Sequence, residues 1–265
     1  MEEALLDCAL AAARAAADIH RRYLGRVALE EWSEKGVADF VTHVDREAED
    51  TIVAEIRRRF PAHAILAEES AGEAAPPGSA EWLWIVDPLD GTTNFLHGYP
   101  AYAASVAVAR RGELVAAVVA SSATGEEWWA VRGGGAFHDG RPVRVSQLTD
   151  LRLALIGTGF PFKAIDRLPP YLRQFDAVLR RSAGIRRAGS AALDLCHVAS
   201  GYFDGFWELL LAPWDIAAGT LIVREAGGVV TALDGRSDVL DGHGAVLAGN
   251  PAIHAELGAV LASAS

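Results

Sequence analysis

Residues 84–95 read Trp84-Ile85-Val86-Asp87-Pro88-Leu89-Asp90-Gly91-Thr92-Thr93-Asn94-Phe95, an apolar run followed by two closely spaced acids. A short continuous apolar run is typical of a buried strand. Pro88 fixes its own φ and has no N–H to donate, so we expect this strand to end at Asp87. Asp90 then follows around a turn.

Two neighbouring carboxylates at the end of a buried strand predict a bound cation, because their charges are hard to tolerate there without one. The residues after Asp90, Gly91 to Asn94, carry backbone N–H groups that can hold an anion if they open a helix. Ligands for a hard cation beside donors for a phosphate are typical of metal-assisted phosphate chemistry. The alternative is an Asx-type turn with solvated acids.

The composition is that of an ordinary globular protein, with 265 residues, 51% of them hydrophobic and 22% charged. The net charge of −11 argues against nucleic-acid binding through a basic surface. It does not exclude a phosphorylated substrate, because bound divalent cations reverse the local charge. Cys8 and Cys196 do not have metal-binding spacing, so we expect neither a disulfide framework nor a zinc site.

The first twenty residues indicate a cytoplasmic protein that does not contact a membrane. Glu2 and Glu3 stand where a secretory signal would carry basic residues. Residues 4–19 are Ala-rich, but they are too polar and too short to span a bilayer.

The first half of the chain predicts helices and an antiparallel sheet. Helical patterns cover 2–24 and 45–59, and a short strand lies near Ile65 and Leu66. A loop rich in Ala, Gly and Pro at 71–80 is predicted to be disordered. Residues 101–131 read as strands joined by tight turns, which is typical of an antiparallel sheet.

The second half predicts alternating strands and helices. The expected strands are 151–157 and 203–207, and the expected helices are 167–181, 190–200, 214–227 and one from 251. We place a boundary near 145. Residues 1–145 would form an α+β half with the metal-binding acids, and 146–265 an α/β half with substrate-binding residues, packed as one unit.

Three further acids stand where a metal site would need them. Glu68 follows the short strand, Asp215 lies in the first turn of a helix that begins after Pro213, and Asp45 opens the second helix. Asp215 and Asp45 each have an ordinary alternative role, since a carboxylate near a helix N-terminus caps the helix or interacts with its dipole.

Four segments together resemble the inositol monophosphatase family, and residues 187–195 and 225–228 resemble its bacterial branch. The four are Asp39-Phe-Val-Thr-His-Val-Asp45, Glu68-Glu69-Ser70, Asp87-Pro-Leu-Asp-Gly-Thr-Thr-Asn94 and Trp214-Asp-Ile-Ala-Ala-Gly219. The resemblance implies a mixed α/β (α+β) fold, layered as an αβαβα sandwich of the metal-dependent sugar phosphatase type. It also implies Mg²⁺ dependence, lithium sensitivity and a homodimer.

The resemblance also implies roles for individual residues. The implied metal ligands are Glu68, Asp87, the Leu89 carbonyl, Asp90 and Asp215, and the implied catalytic residues are Asp45, Thr92 and Glu68. Thr92 would work with Asp45 to orient and deprotonate the attacking water. The implied substrate contacts are Gly91, Thr92, Thr93, the backbone N–H of Ala191, and Glu208, which would bind a substrate hydroxyl.

Several residues have alternative interpretations. Thr92 could be a turn hydroxyl, and Glu208 could be a surface acid on an aromatic strand. Lys35 resembles a family lysine near the metals, but it stands one residue closer to Asp39 than in the family pattern. Gly133-Gly134-Gly135 predicts a hairpin turn, and Gly157-Thr158-Gly159 lacks the continuation of a phosphate-binding loop.

The leading hypothesis is Mg²⁺-dependent hydrolysis of a small phosphomonoester, with inositol-1-phosphate as the first candidate substrate. The water would attack directly, without a phospho-enzyme. One alternative keeps the chemistry on fructose-1,6-bisphosphate, histidinol phosphate or a nucleotide bisphosphate, although no basic cluster is present for a second phosphate. The other is a transcription-associated interaction protein that binds a basic protein partner rather than nucleic acid.

Overall fold

The computed structural model describes residues 2–36, 39–70, 80–162, 164–240 and 244–264. At positions 35, 36 and 39 it describes the backbone only. The loop predicted at 71–80 therefore lies outside the described residues apart from residue 80, and so does the side chain of Lys35.

The chain forms five layers in the order αβαβα. The outer helices on one side are α1 (Glu2–Tyr23) and α2 (His43–Arg59), which pack on the first sheet. Its strands are β3 (Ala64–Ala67), β4 (Trp82–Asp90), β5 (Ala103–Arg110), β6 (Glu113–Ser121), β7 (Glu127–Val131), β8 (Gly135–His138) and β9 (Arg141–Val143). The strands lie side by side in this order, with β3 parallel to β4 and the others antiparallel. A separate antiparallel pair precedes α2, formed by β1 (Ser33–Gly36) and β2 (Asp39–Val41).

The second sheet is mixed and lies on the far side of two central helices. Its strands are β10 (Leu155–Thr158), β11 (Gly184–Arg186), β12 (Gly205–Glu208), β13 (Val229–Ala232) and β14 (Val246–Gly249), in the order β11-β10-β12-β14-β13. The central helices are α5 (Ala191–Ala199) and α6 (Pro213–Glu225), and the outer ones are α4 (Leu168–Leu179) and α7 (Pro251–Ser263). A short helix, α3 (Thr92–His97), lies between β4 and β5. The layered sandwich implied by the resemblance is confirmed.

The apolar run before Asp87 is buried on both faces of the first sheet. Trp84 and Val86 pack in the core beneath α1 and α2, whereas Leu83 and Ile85 pack against α5 and α6. Successive side chains of a strand point to opposite faces, so a strand with helices on both sides needs apolar residues at every position. This explains why the run is continuous rather than alternating.

The prediction that this strand ends at Asp87 is wrong. Strand β4 continues to Asp90, with a bulge after Asp87: Asp87 pairs with Ser105 and Asp90 with Ala103. An extra residue in one strand interrupts the ladder, so Pro88 is accommodated without a missing hydrogen bond. The bulge therefore lets both acids remain on one strand.

The helices predicted from periodicity are confirmed, with one local correction to a helix and one to a strand. Helix α2 begins at His43, and its N-cap is Thr42 rather than Asp45, which is the third residue of a capping box. The strand expected at 151–157 begins only at Leu155, because 151–153 form a 3₁₀ turn that the Asp150 side chain caps.

The boundary proposed near residue 145 stays a prediction. The first sheet lies before it and the second after it, but α6 packs on strands of the first sheet as well as on β13. Within the described ranges, no helix combines the length and the apolar character needed to cross a membrane.

The glycine turn at 133–135 connects β7 to β8, as the sequence predicts. The Glu225 carboxylate accepts hydrogen bonds from the backbone N–H groups of Gly133 (2.9 Å) and Gly135 (3.0 Å). Glu225 is the last residue of α6, so this contact fastens the central helix to the rim of the first sheet.

We expect Glu225→Ala to lower the free energy of unfolding by about 1–2 kcal/mol, because it removes two charge-assisted hydrogen bonds at a half-buried site. Denaturant titration measures the loss. Glu225→Gln keeps an acceptor oxygen and should lose less. An alanine variant as stable as the original would contradict the anchoring role.

Candidate active site

The acids predicted to form a metal site surround one cavity of about 360 Å³. All predicted site residues except Asp45 line it, namely Glu68, Asp87, Leu89, Asp90, Gly91, Thr92, Thr93, Ala191, Glu208 and Asp215. Asp45 lies behind Thr92 and is hydrogen-bonded to it. The structure therefore brings together acids that are up to 147 positions apart in the sequence.

Strand order explains how the first two acids meet. Strands β3 and β4 are parallel and in register, with Ala67 beside Val86. The residues that follow this pair, Glu68 and Asp87, therefore lie next to each other at the same edge of the sheet. A backbone hydrogen bond from Glu68 N–H to the Val86 carbonyl (3.1 Å) extends this pairing.

The central helices α5 and α6 bring the other two acids, Asp90 and Asp215, to the cavity. Asp215 lies in the first turn of α6, which packs closely on α5: a Cβ at Gly219 would lie 2.5 Å from Leu195. Asp90 faces the N-terminus of α5. The N-termini of two packed helices thus close the acidic end of the cavity.

Each carboxylate is held in place by a hydrogen bond to its surroundings. Asp87 Oδ1 accepts from Leu89 N (2.9 Å), and Asp215 Oδ2 accepts from Ala212 N (2.7 Å). Asp90 Oδ2 accepts from Ser190 Oγ (2.6 Å) and Ala192 N (2.8 Å). Such bonds fix the orientation of potential ligands. The Asx-type turn considered above is thus present at Asp87, but this acid is buried rather than solvated.

The electrostatics of the cavity favour a bound cation. Burial raises the pKa of Asp87 well above its usual range, and the charges of Glu68, Asp90 and Asp215 raise it further. Burial likewise raises the pKa of Asp90 to about 6, against the effect of its hydrogen bonds from Ser190 and Ala192. A raised pKa means that the ionised form of a carboxyl group is disfavoured. A nearby cation would stabilise that ionised form.

The donor set fits Mg²⁺, which prefers hard oxygen ligands. In the part of the chain that the structure describes, no three Asp, Glu, His or Cys side chains already have the arrangement of a metal cage. Glu68 nonetheless lies close enough to Asp87 to raise the pKa of Asp87, by its charge and by hydrogen bonding. A cation beside these two carboxyl groups would stabilise their ionised forms.

Thr92 and Asp45 form the pair that the resemblance implies. Thr92 Oγ lies 2.9 Å from Asp45 Oδ1 and 3.1 Å from the Leu89 carbonyl oxygen, so its single proton is donated to one of these two acceptors. The other Asp45 oxygen accepts from the backbone N–H and the hydroxyl of Thr42. Asp45 thus caps its helix and holds Thr92 at the same time.

Gly91 is required by the local backbone. Its φ of +89° is a left-handed conformation that favours glycine. In addition, a Cβ there would lie 2.7 Å from the Ala101 carbonyl oxygen. Gly91 caps α3, whose first-turn N–H groups have no partners within the helix, as at any helix N-terminus.

The cavity is also lined by Glu208 and by Arg187, an arginine for which sequence analysis predicts no role in the site. The Arg187 guanidinium lies over the rings of Phe160 and Phe162, 5.4 and 4.9 Å from their centres. Burial and the Asp194 charge raise the pKa of Glu208 well above its usual range, whereas Arg187 acts to lower it. The Ala191 N–H is directed at the Asp90 carboxylate, although Ala191 lines the cavity.

Three supporting residues were missed by sequence analysis. Glu49 accepts from Glu69 N (2.7 Å) and so anchors the segment that carries Glu68. Asn94 Nδ2 donates to the carbonyls of Ala101 (2.7 Å) and Ala188 (2.9 Å), which ties α3 to the start of α5. Ser190, the N-cap of α5, is the one for which a signal existed, since serine before a helical pattern is typical of a cap.

Comparison with known proteins identifies the family. The family model described as "Inositol monophosphatase family" matches residues 1–265. The Pseudomonas aeruginosa protein "Nus factor SuhB" is 48% identical over 87% of this chain and 86% of its own, and the Rhizobium meliloti "Inositol-1-monophosphatase" is 48% identical over 88% and 86%. The crystal structure of the Bartonella henselae extragenic suppressor protein suhB superposes with a TM-score of 0.91 at 41% identity, covering 97% and 98% of the two chains. The chain belongs to the inositol monophosphatase family.

Proposed function

We propose that this protein is a Mg²⁺-dependent phosphatase that hydrolyses a small phosphomonoester, with inositol-1-phosphate as the first candidate. The main support for this proposal is that four acids meet in one cavity beside the N-terminus of α3. They are Glu68, Asp87, Asp90 and Asp215. The relative named inositol-1-monophosphatase supports the choice of substrate.

The residues that would hold Mg²⁺ are Glu68, Asp87, the Leu89 carbonyl, Asp90 and Asp215. When bound, the cations would offset the charge of the phosphate and of the leaving alcohol and make a water molecule more acidic. Hydrogen bonds to Asp87, Asp90 and Asp215 hold these carboxylates in place before any cation arrives.

Thr92, Asp45 and Glu68 would prepare the attacking water. When the Thr92 hydroxyl donates to Asp45 Oδ1, its oxygen lone pairs remain available to accept a hydrogen bond from a water in the cavity. The water would pass a proton to Thr92 Oγ as the Thr92 proton passes to Asp45. Asp45 is buried and fixed by Thr42, so the hydroxyl keeps this orientation. Direct attack by water requires no protein nucleophile.

The phosphate and the alcohol would bind at opposite walls of the cavity. The backbone N–H groups of Gly91 and Thr92, with the Thr93 hydroxyl, would contact phosphate oxygens at the N-terminus of α3. Glu208 would accept a hydrogen bond from a hydroxyl of the alcohol. Ala191 would border the same alcohol, although its N–H is directed at Asp90 rather than into the cavity. In this arrangement the ester bond lies over the acids.

We expect Mg²⁺ to raise the melting temperature by several degrees, because a ligand that binds only the folded state stabilises it. In Asp87→Asn this gain should be lost, whereas the metal-free melting temperature should stay the same or rise, since one of several mutually repelling charges is removed. Thermal unfolding with and without Mg²⁺ measures both. The exposed Asp166→Asn is the matched control and should keep the gain. An equal gain in Asp87→Asn would show that the metal ligands are wrongly assigned.

We also expect phosphate release from inositol-1-phosphate that requires Mg²⁺ and is abolished in Asp87→Asn. Parallel assays with fructose-1,6-bisphosphate, histidinol phosphate and a nucleotide bisphosphate separate the candidate substrates. Thr92→Val should lower kcat about 10²- to 10⁴-fold, the usual contribution of a group that transfers a proton. If no small sugar or polyol phosphate is hydrolysed, the proposal fails.

The second candidate function is a role in transcription through binding a protein partner. The observation that favours it is the relative named Nus factor SuhB, which is as similar as the one named inositol-1-monophosphatase. The acidic net charge of −11 suits a basic protein surface. The two functions are compatible, because a partner would not need the cavity.

A genetic experiment distinguishes the phosphatase function from the partner-binding function. The gene is replaced by its Asp87→Asn allele in the organism that encodes it. If turnover is the physiological role, this allele should show the phenotype of a deletion, because it loses metal binding but not the fold. Rescue of the deletion by Asp87→Asn at normal protein level would instead favour partner binding.

A further inference from the structure

The segment Gly157-Thr158-Gly159, which sequence analysis left without a function, ends β10 beside the strand that carries Glu208. Strands β10 and β12 are parallel, with Gly157 beside Phe206 and Thr158 beside Trp207. Strand β10 ends at Thr158, and the same register continued by one residue would place Gly159 beside Glu208. Because side chains alternate between faces, positions 157, 159, 206 and 208 face the central helices, whereas 158 and 207 face the outer ones.

The two outward residues show that this alternation holds. Thr158 Oγ lies 3.0 Å from Tyr171 Oη, and Tyr171 stacks on Trp207 with ring centres 6.1 Å apart. Both Tyr171 and Trp207 belong to the core beneath α4 and α7. The glycines therefore face the opposite direction, toward the core and the cavity between the sheets.

The two glycines make room for different groups. A Cβ at Gly157 would lie 2.9 Å from a ring carbon of Phe203 and 3.2 Å from one of Phe206, so this glycine serves the packed core. A Cβ at Gly159 would overlap all three terminal atoms of Glu208, Cδ, Oε1 and Oε2. The Glu208 carboxyl group thus lies directly on the bare backbone of Gly159. Neither glycine has a positive φ, so conformational freedom does not explain them.

The residues after Gly159 contact Arg187, whose positive charge offsets the negative charges around Glu208. Phe160 and Phe162 support the Arg187 guanidinium, which favours the ionised form of Glu208 against burial and the charge of Asp194. The same short segment therefore provides the space for the Glu208 carboxyl group and the rings on which its counter-charge, Arg187, rests. Core packing alone would not require this.

We infer that Gly159 is a positioning residue that keeps the Glu208 carboxylate directed into the cavity and so sets the preference for polyol phosphates over esters of alcohols that have no further hydroxyl. This inference rests on the proposed function, because it needs Glu208 to accept a hydrogen bond from the alcohol. The three atoms nearest to an alanine Cβ at 159 all belong to the end of the flexible Glu208 side chain. We therefore expect alanine to turn the carboxylate away and the fold to be retained.

The test compares kcat/KM for inositol-1-phosphate with kcat/KM for phenyl phosphate, whose alcohol has no other hydroxyl. In Gly159→Ala the ratio of the two should fall about tenfold to a hundredfold, the usual effect of losing a hydrogen bond to a charged group, and mainly through KM for inositol-1-phosphate. Gly157→Ala is the matched control, two residues earlier on the same face, within β10. It should lower the melting temperature and leave the ratio unchanged.

A double-mutant cycle shows whether Gly159 acts through Glu208. Glu208→Ala should lower the ratio as Gly159→Ala does, and the double variant should fall no further. A ratio in Gly159→Ala equal to that of the original protein would overturn the inference. So would a double variant whose ratio falls by the product of the two single effects. If the original protein hydrolyses neither ester, the proposed function fails, and the inference fails with it. If the original protein hydrolyses the esters but the ratio in Gly159→Ala does not change, only the inference fails.

Discussion

Repulsion among four buried or half-buried acids is the constraint on which the rest of this structure depends. Glu68, Asp90 and Asp215 each raise the pKa of Asp87, so the folded chain holds together charges that would separate in water. Backbone and hydroxyl donors fix the carboxylates, and two helices with a seven-stranded sheet support them from behind. The hydrophobic cores on either side of that sheet offset the unfavourable free energy of holding these acids together, as is usual for functional sites.

Helix capping and site chemistry use the same side chains here. Asp45 and Asp215 are each the third residue of a helix, and each accepts a hydrogen bond from the backbone three residues before it. Neither acid is the N-cap residue itself, but both bind the start of their helix from the third position, and this role does not exclude the functional one. One carboxylate oxygen serves the cap, and in Asp45 the other oxygen reaches Thr92. Capping makes the orientation of such an acid stiff enough for a site.

The wall opposite the acids depends on strand alternation. Along β10, the side chain of Thr158 packs outward with Tyr171, and the two flanking glycines leave space on the inner face. The space at Gly157 is filled by aromatic rings and that at Gly159 by the Glu208 carboxyl group. Two residues of the same type on one strand therefore serve packing in one case and the cavity in the other, and only their neighbours distinguish them.

The sequence alone determined the helices, the antiparallel strands after residue 101 and the acidic motif, because periodicity and short-range spacing are local properties. Only the tertiary structure decided that β4 continues past Pro88, that short strands such as β14 pair at all, and that Glu49 anchors the backbone beside Glu68. It also decided what Gly159 faces. These features arise from contacts between residues far apart in the chain, which leave no periodic signal near either partner.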